Sequence, residues 1–280
     1  MRFEQFSITV PGQKTGPAVL TLYQIDNISV ARAKKRPFVI VCGGGGYWQI
    51  SDREKEPILL QFLAMGCSAC LLQYSVKPNV FPTAVQELAS AVALARSHAE
   101  EWNIDPDKII TCGFSAGGHL AASLGVFWNR DFVYGPLGLA AEDGKPNGQI
   151  LCYPVISSGP KAHRGSIEKL LGERIGEPGL LELVSLENQV TGDTPKTFLW
   201  HTLPDQHVPV ENSLLFAQAL TEAGVDYELH IYPVGGHGLS LAGEETAGIQ
   251  ELLLQPYCSS WISMVKAWME LNFQCLSMKQ

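Results

Sequence analysis

The sequence has little charge and no long apolar run. Only 17% of its residues are Asp, Glu, Lys or Arg, and the formal net charge is −8. An acidic balance of this kind disfavours nucleic acid and anionic membrane surfaces as partners. The one basic run, Lys34-Lys35-Arg36, stands just before an apolar stretch and is expected to be a solvated loop. No uninterrupted apolar segment is long enough to span a bilayer, so no membrane partner is expected. Residues Met1 to Val10 alternate like a strand and lack the apolar stretch of a signal peptide, which makes the expected location cytoplasmic.

A disulfide framework is missing as well. The seven cysteines are an odd number, and Cys42, Cys112 and Cys152 sit in or beside apolar runs, as buried reduced thiols do. Cys67 and Cys70 match C-x-x-C, but positions three apart on a strand face opposite sides, so core packing is expected there. Repeats, low-complexity tracts and linkers are absent, and residues 1–280 read as a single domain.

What is present is a 46% hydrophobic content laid out as strands alternating with helices. Two antiparallel strands, at 6–10 and 18–25, lead in. Phe38 to Cys42 is a continuous apolar run of the kind expected of a central parallel strand. Ser51-Asp52-Arg53-Glu54 has capping-box spacing and predicts a helix from there to about Met65. Further strands are expected at 67–75, before Gly113, and at 148–156, 196–203 and 226–232. Helices are expected at 83–102, with Val85, Leu88, Ala89, Val92 and Ala95 on one stripe, at 210–223, and from about Tyr257. This alternation implies an α/β class with a mostly parallel sheet covered on both faces. Residues 157–195 interrupt it, with weak helical pattern at 166–171 and 179–186, and are expected to cap the sheet edge and shape a pocket.

The chemistry centres on Gly113-Phe114-Ser115-Ala116-Gly117. A β-favouring run ends at Gly113 and helix-forming residues begin at Ala116, so Ser115 is predicted on a sharp strand-to-helix turn. Acyl transfer by serine also needs a base, an acid that orients it, and oxyanion donors. His237, flanked by glycines after the last strand, is the candidate base, and Asp205, past the end of the preceding strand, is the candidate acid. The amide of Ala116 and one or two amides of Gly44 to Gly46 are the candidate donors. Four glycines at a strand's carboxyl end let backbone amides approach a ligand closely.

Rival readings are weaker. His119 lies one helical turn past Ser115 and is expected to be a satisfied core histidine. His163, His201 and His207 lack the H-E-x-x-H or H-x-x-E-H spacing of a metal site, so no metal is expected. Asp193 precedes its strand and belongs at the wrong sheet edge to replace Asp205. The glycine run lacks the Lys-Ser/Thr tail of a P-loop and the spacing of a dinucleotide loop, and no cofactor is expected. Neither Cys42 nor Cys112 has the turn context of Ser115.

Gly113 to Leu120, with Cys42 to Tyr47, resembles the esterase/lipase group of the α/β-hydrolase fold. Within that group the chain is most similar to small microbial esterases of the acetyl-xylan esterase type, through Tyr153 to Ile156, His163 to Ser166, Thr194 to Thr202 and Asp205 to Ser213. Hormone-sensitive-lipase-like relatives place a histidine before three glycines; here Gly43 stands in its place. Carrying the motif over position by position favours Gly45 and Gly46 as oxyanion donors. The resemblance implies a serine esterase acting on a small-molecule substrate, namely acetyl groups on carbohydrate. A prolyl-oligopeptidase-like peptidase would need a large extra domain, and a non-catalytic binding protein would be expected to have lost one of Ser115, Asp205 and His237.

Overall fold

The computed structural model describes residues 1–27 and 35–274. Eight runs rich in apolar residues pair into one sheet. They are β1 (Arg2–Ile8), β2 (Ala18–Gln24), β3 (Arg36–Cys42), β4 (Ser68–Gln73), β5 (Ile104–Phe114), β6 (Gly148–Cys152), β7 (Lys196–Thr202) and β8 (Tyr227–Tyr232). The order across the sheet is β1-β2-β4-β3-β5-β6-β7-β8. β2 pairs antiparallel with both its neighbours, and the remaining pairs are parallel. The carboxyl ends of β3 to β8 therefore share one edge, where ligands gather in sheets of this kind.

The helices are α1 (Glu56–Ala64), α2 (Thr83–Ser97), α3 (Ala116–Phe127), α4 (Asp131–Tyr134), α5 (Arg164–Leu171), α6 (Leu180–Leu183), α7 (Glu211–Glu222), α8 (Glu244–Ala247) and α9 (Trp261–Phe273). Strand periodicity divides the core in two. Phe38, Ile40 and Cys42 of β3 face the cluster built on α2, α3 and α7. Val39 and Val41 face the cluster under α1 and α9, which contains Trp261, Val265, Trp268 and Met269. Cys70 and Cys67 fall in these two clusters on opposite faces, as their spacing requires. Among the described residues no helix is long and apolar enough to cross a membrane.

Several local expectations need correction, beginning with the first strand, which runs over Arg2–Ile8 rather than 6–10. Ser51 makes no side-chain cap; Asp52–Glu54 form a 3-10 turn, and α1 starts only at Glu56. The reason is that the Glu54 carboxylate turns inward and is buried, so it is not available to close a box on the helix end. α2 stops at Ser97 rather than Trp102: His98 leaves the helical region at φ −97° and ψ 13°, and the chain reverses at Asn103, whose φ is 50°. His98 then stacks on Trp102 with ring centroids 5.0 Å apart. Of the basic run, Lys34 lies outside the described residues, while Arg36 opens β3 and donates to the Gly66 carbonyl at 2.8 Å.

The stretch at 157–195 folds back onto the body. Ile167, Leu170, Leu171, Leu180, Val184 and Leu186 are buried in the core cluster under α2 and α3. The Phe81 amide donates to the Leu170 carbonyl (2.8 Å), and the Leu186 amide donates to the Ile156 carbonyl (3.1 Å).

At the centre of the sheet, β3, β5 and α3 touch backbone to backbone. A Cβ on Gly117 would lie 2.2 Å from the Cys42 carbonyl oxygen, and one on Gly113 would lie 2.1 Å from the Gly117 carbonyl oxygen. Gly117→Ala is therefore expected to cost about 3 kcal/mol or more, at or beyond the upper end of ordinary overpacking. Gly243→Ala, whose Cβ would meet nothing within 4 Å, is the control and should be nearly neutral. Urea denaturation checks both, and a Gly117→Ala loss under about 1 kcal/mol would contradict the packing described.

Candidate functional site

β5 ends at Phe114 and α3 begins at Ala116, with Ser115 between them at φ 52° and ψ −115°. Few L-residues adopt that geometry, and it costs on the order of 1–3 kcal/mol. Hydrogen bonds hold it in place. The Ser115 amide donates to the Cys152 carbonyl (3.0 Å), and the Ser115 carbonyl accepts from the amides of Val155 (3.0 Å) and His119 (3.0 Å).

The Ser115 hydroxyl lies 2.8 Å from Nε2 of His237, and Nδ1 of His237 lies 2.6 Å from Oδ2 of Asp205. A carboxylate only accepts, so Nδ1 carries the ring proton and Nε2 is left to accept from the serine. The other Asp205 oxygen accepts the amides of His207 (2.9 Å) and Val208 (3.0 Å). Burial of the Asp205 carboxyl would raise its pKa, but hydrogen bonds from His201, His237 and the Val208 amide outweigh this and hold it well below the usual range. Asp205 is thus an ionised acceptor fixed on several sides. Asp193 sits before β7 and takes part in a different contact, accepting from the Asn129 side chain at 3.3 Å. The structure brings together the three residues that the sequence singles out, and it separates the rival carboxylate.

The glycine loop after β3 passes directly over the serine: a Cβ on Gly44 would lie 3.0 Å from the Ser115 Cβ. The Gly44 amide is already engaged, donating to Oε2 of Glu54 at 2.7 Å. That removes Gly44 from the candidate oxyanion donors. No other described residue engages the amides of Gly45, Gly46 or Ala116.

Sequence reasoning missed the group that braces this edge. Glu54 Oε1 accepts from the Tyr153 hydroxyl (2.6 Å), which in turn accepts from the Ser240 amide (2.9 Å). The Ser240 hydroxyl donates to the Arg53 carbonyl, and the Arg53 guanidinium donates to the carbonyls of Gly238 and Thr246. The Tyr153 ring also packs edge-on against His237, with centroids 5.2 Å apart. The network joins the glycine loop, the end of β6 and the histidine loop. Its only sequence signal is Glu54, which the capping-box spacing assigns to a helix end instead.

Of the other histidines near this edge, His207 is exposed with its ring 6.0 Å from that of His237, while the rest have structural partners. His119 is fully buried, with Nε2 donating to the Val184 carbonyl (3.0 Å) and Nδ1 against the Tyr47 hydroxyl (3.0 Å). Burial lowers its pKa to about 4, so it is neutral near pH 7. His201 lies between the Ser213 hydroxyl (2.8 Å) and the Val208 carbonyl (2.9 Å). His163 pairs with the Ser166 hydroxyl (2.8 Å). Among the described residues no three His, Cys, Asp or Glu side chains are placed to hold a metal ion.

Comparison with known proteins adds a family to this geometry. The model of the BD-FAE family matches residues 27–220. Over 215 residues the chain is 37% identical to an endo-1,4-beta-xylanase B of Butyrivibrio fibrisolvens, covering 75% of this chain and 34% of that protein. Over 200 residues it is 30% identical to an acetylxylan esterase of Xylanibacter ruminicola, covering 70% of this chain and 39% of that protein. The chain thus spans little more than a third of either relative. Among solved structures, the acetyl ester-xyloside bifunctional hydrolase from Caldicellulosiruptor lactoaceticus is 39% identical with a TM-score of 0.79, covering 93% of this chain and 90% of that one. Ser115 and Asp205 fall inside the family match and His237 lies just beyond it. With more than half of its length matched, the chain belongs to the BD-FAE family and has the α/β-hydrolase fold.

Proposed function

We propose that the protein is a serine carboxylic-ester hydrolase that removes short acyl groups, acetyl above all, from carbohydrates. The observation that carries this reading is the hydrogen-bonded chain from Ser115 through His237 to Asp205, with links of 2.8 and 2.6 Å, at the sheet's carboxyl edge. His237 Nε2 takes the hydroxyl proton as Ser115 Oγ bonds to the ester carbonyl carbon. The resulting oxyanion is held by the amides of Ala116, Gly45 and Gly46, at the N-terminus of the twelve-residue α3. The carbon–oxygen bond to the alcohol breaks, and His237 returns the proton to the departing oxygen. Water then attacks the acyl-serine by the same route and frees the acid. Every role falls to a side chain or amide of this chain, so the mechanism calls for no cofactor.

Two observations support a short acyl group and a sugar alcohol. Helix α5 lies against the glycine loop, its buried Ser166 hydroxyl 3.7 Å from where a Cβ on Gly46 would be. The 157–195 segment is short and offers no long apolar groove for a fatty chain. The relatives named for acetylxylan and for acetyl ester-xyloside substrates favour acetyl groups on carbohydrate.

Asp205→Asn keeps the shape of the side chain but donates where it should accept. The imidazole then holds the wrong tautomer, and kcat on p-nitrophenyl acetate should fall by about ten-thousandfold with an unchanged circular dichroism spectrum. Asp193→Asn should stay within about twofold of the parent, since such surface changes are mild. A mild Asp205→Asn together with a damaging Asp193→Asn would overturn the assignment of the acid.

The acyl preference is checked on p-nitrophenyl esters. Rates should fall steadily from acetate to octanoate. A maximum at octanoate or beyond would contradict the acetyl reading.

A further inference from the structure

Beside His237 the surface opens into a groove of about 810 Å³. His207 and His237 form its near wall, and the segment 249–255, between α8 and α9, forms its far wall. The volume lies within the range, about 300–1,000 Å³, usual for small-molecule sites. An acetyl group alone would leave it nearly empty.

Position, chemistry and exposure each bear on what it holds. His237 protonates the oxygen that departs, so the alcohol half of the ester must lie on the His237 side of the scissile bond. His237 is itself part of the groove wall, so the groove adjoins the base that serves that side. The polar lining is mostly neutral. The side-chain amides of Gln206 and Gln250 face no hydrogen-bond partner among the described residues, and each can both donate and accept, as hydroxyl groups require. Glu251 is the one carboxylate lining the groove and no lysine or arginine lines it, which disfavours an anionic alcohol. Finally, Ile249 is fully exposed and Leu252 is 85% exposed on the same wall, while the neighbouring Leu253 is buried and ties the segment down. Large apolar side chains left in water beside amides suit the alternating C–H and O–H surfaces of sugar rings.

We propose that this groove is the subsite for the alcohol half, and that it holds a neutral oligosaccharide extending past the acetylated unit. The inference rests on the carbohydrate-ester reading above and names where that substrate's chain lies. Gln250 and Leu252 are its specificity-determining residues; they bind sugar units beyond the first and touch no reacting atom.

The test compares the parent with a Gln250→Ala/Leu252→Ala variant on acetylated xylotriose, acetylated xylose and p-nitrophenyl acetate. Both changes lie on an exposed surface, and circular dichroism checks that the fold is kept. The parent should prefer the trisaccharide to the monosaccharide by about tenfold in kcat/KM, equivalent to about 1.4 kcal/mol. In the variant the ratio of kcat/KM on the trisaccharide to that on p-nitrophenyl acetate should drop by about fivefold or more, carried by KM rather than kcat. An unchanged ratio, including one that stays fixed because both activities fall together, would overturn the subsite. If the parent cleaves p-nitrophenyl acetate but neither sugar acetate, the carbohydrate reading itself fails and the subsite with it. If the parent cleaves both sugar acetates and the ratio does not move, only the subsite fails.

Discussion

The site depends on a contact that leaves no space for side chains. Gly113, Gly117 and the carbonyl of Cys42 meet so closely that a single methyl group on either glycine would overlap a backbone oxygen. That approach allows β5 to end in a turn instead of running on, and it lifts Ser115 above the sheet at a positive φ. Much of the strain gathers near the serine. Of the seven non-glycine residues with positive φ among the described residues, Tyr47, Ser115, Tyr153 and Ser240 all belong to this edge or to the network beneath it. Each is held by packing or hydrogen bonds that the rest of the fold supplies. Phe114, the residue before the serine, anchors the turn from below against Tyr153 and Trp261, with ring centroids 5.8 and 5.9 Å away.

Glu54 links this turn to its surroundings. A buried carboxylate is costly unless its oxygens are satisfied. Here one oxygen takes the Gly44 amide and the other takes the Tyr153 hydroxyl. By occupying Gly44, Glu54 fixes the glycine loop so that the next two amides are left unengaged. Through Tyr153 and Ser240 it also reaches the loop that carries His237. Displacement of either loop would therefore break hydrogen bonds in the other. Such coupling is what a preorganised site requires, because donors already in place need no reorganisation during the reaction.

Residues whose signals are local were legible in the sequence. Gly113 to Gly117 reads as a turn because the strand before it and the helix after it are both visible in short windows. Asp205 and His237 stand out because each follows a strand, and the parallel sheet brings those strand ends to one edge. His119 was correctly placed in the core from its one-turn offset. Residues whose partners are distant in the chain were not legible. Glu54 meets Tyr153 across 99 positions, and no pattern near either residue announces it. Helix ends differ from the local reading for a related reason: the inward turn of Glu54 is set by tertiary contacts, which override local propensity. The segment at 157–195 shows helical periodicity in sequence, but only the fold shows that it packs into the core under α2 and α3.

The central claim is that Ser115 Oγ is the nucleophile, and covalent capture tests it most directly. Diethyl p-nitrophenyl phosphate offers a phosphorus atom for attack; the serine oxygen would displace p-nitrophenolate and remain as a stable diethyl phosphoryl ester. The account predicts one p-nitrophenolate released per chain, loss of esterase activity in the same proportion, and the added mass on the peptide containing Ser115. Full inactivation with the added mass on another residue, or retained activity in protein fully modified at Ser115, would contradict it.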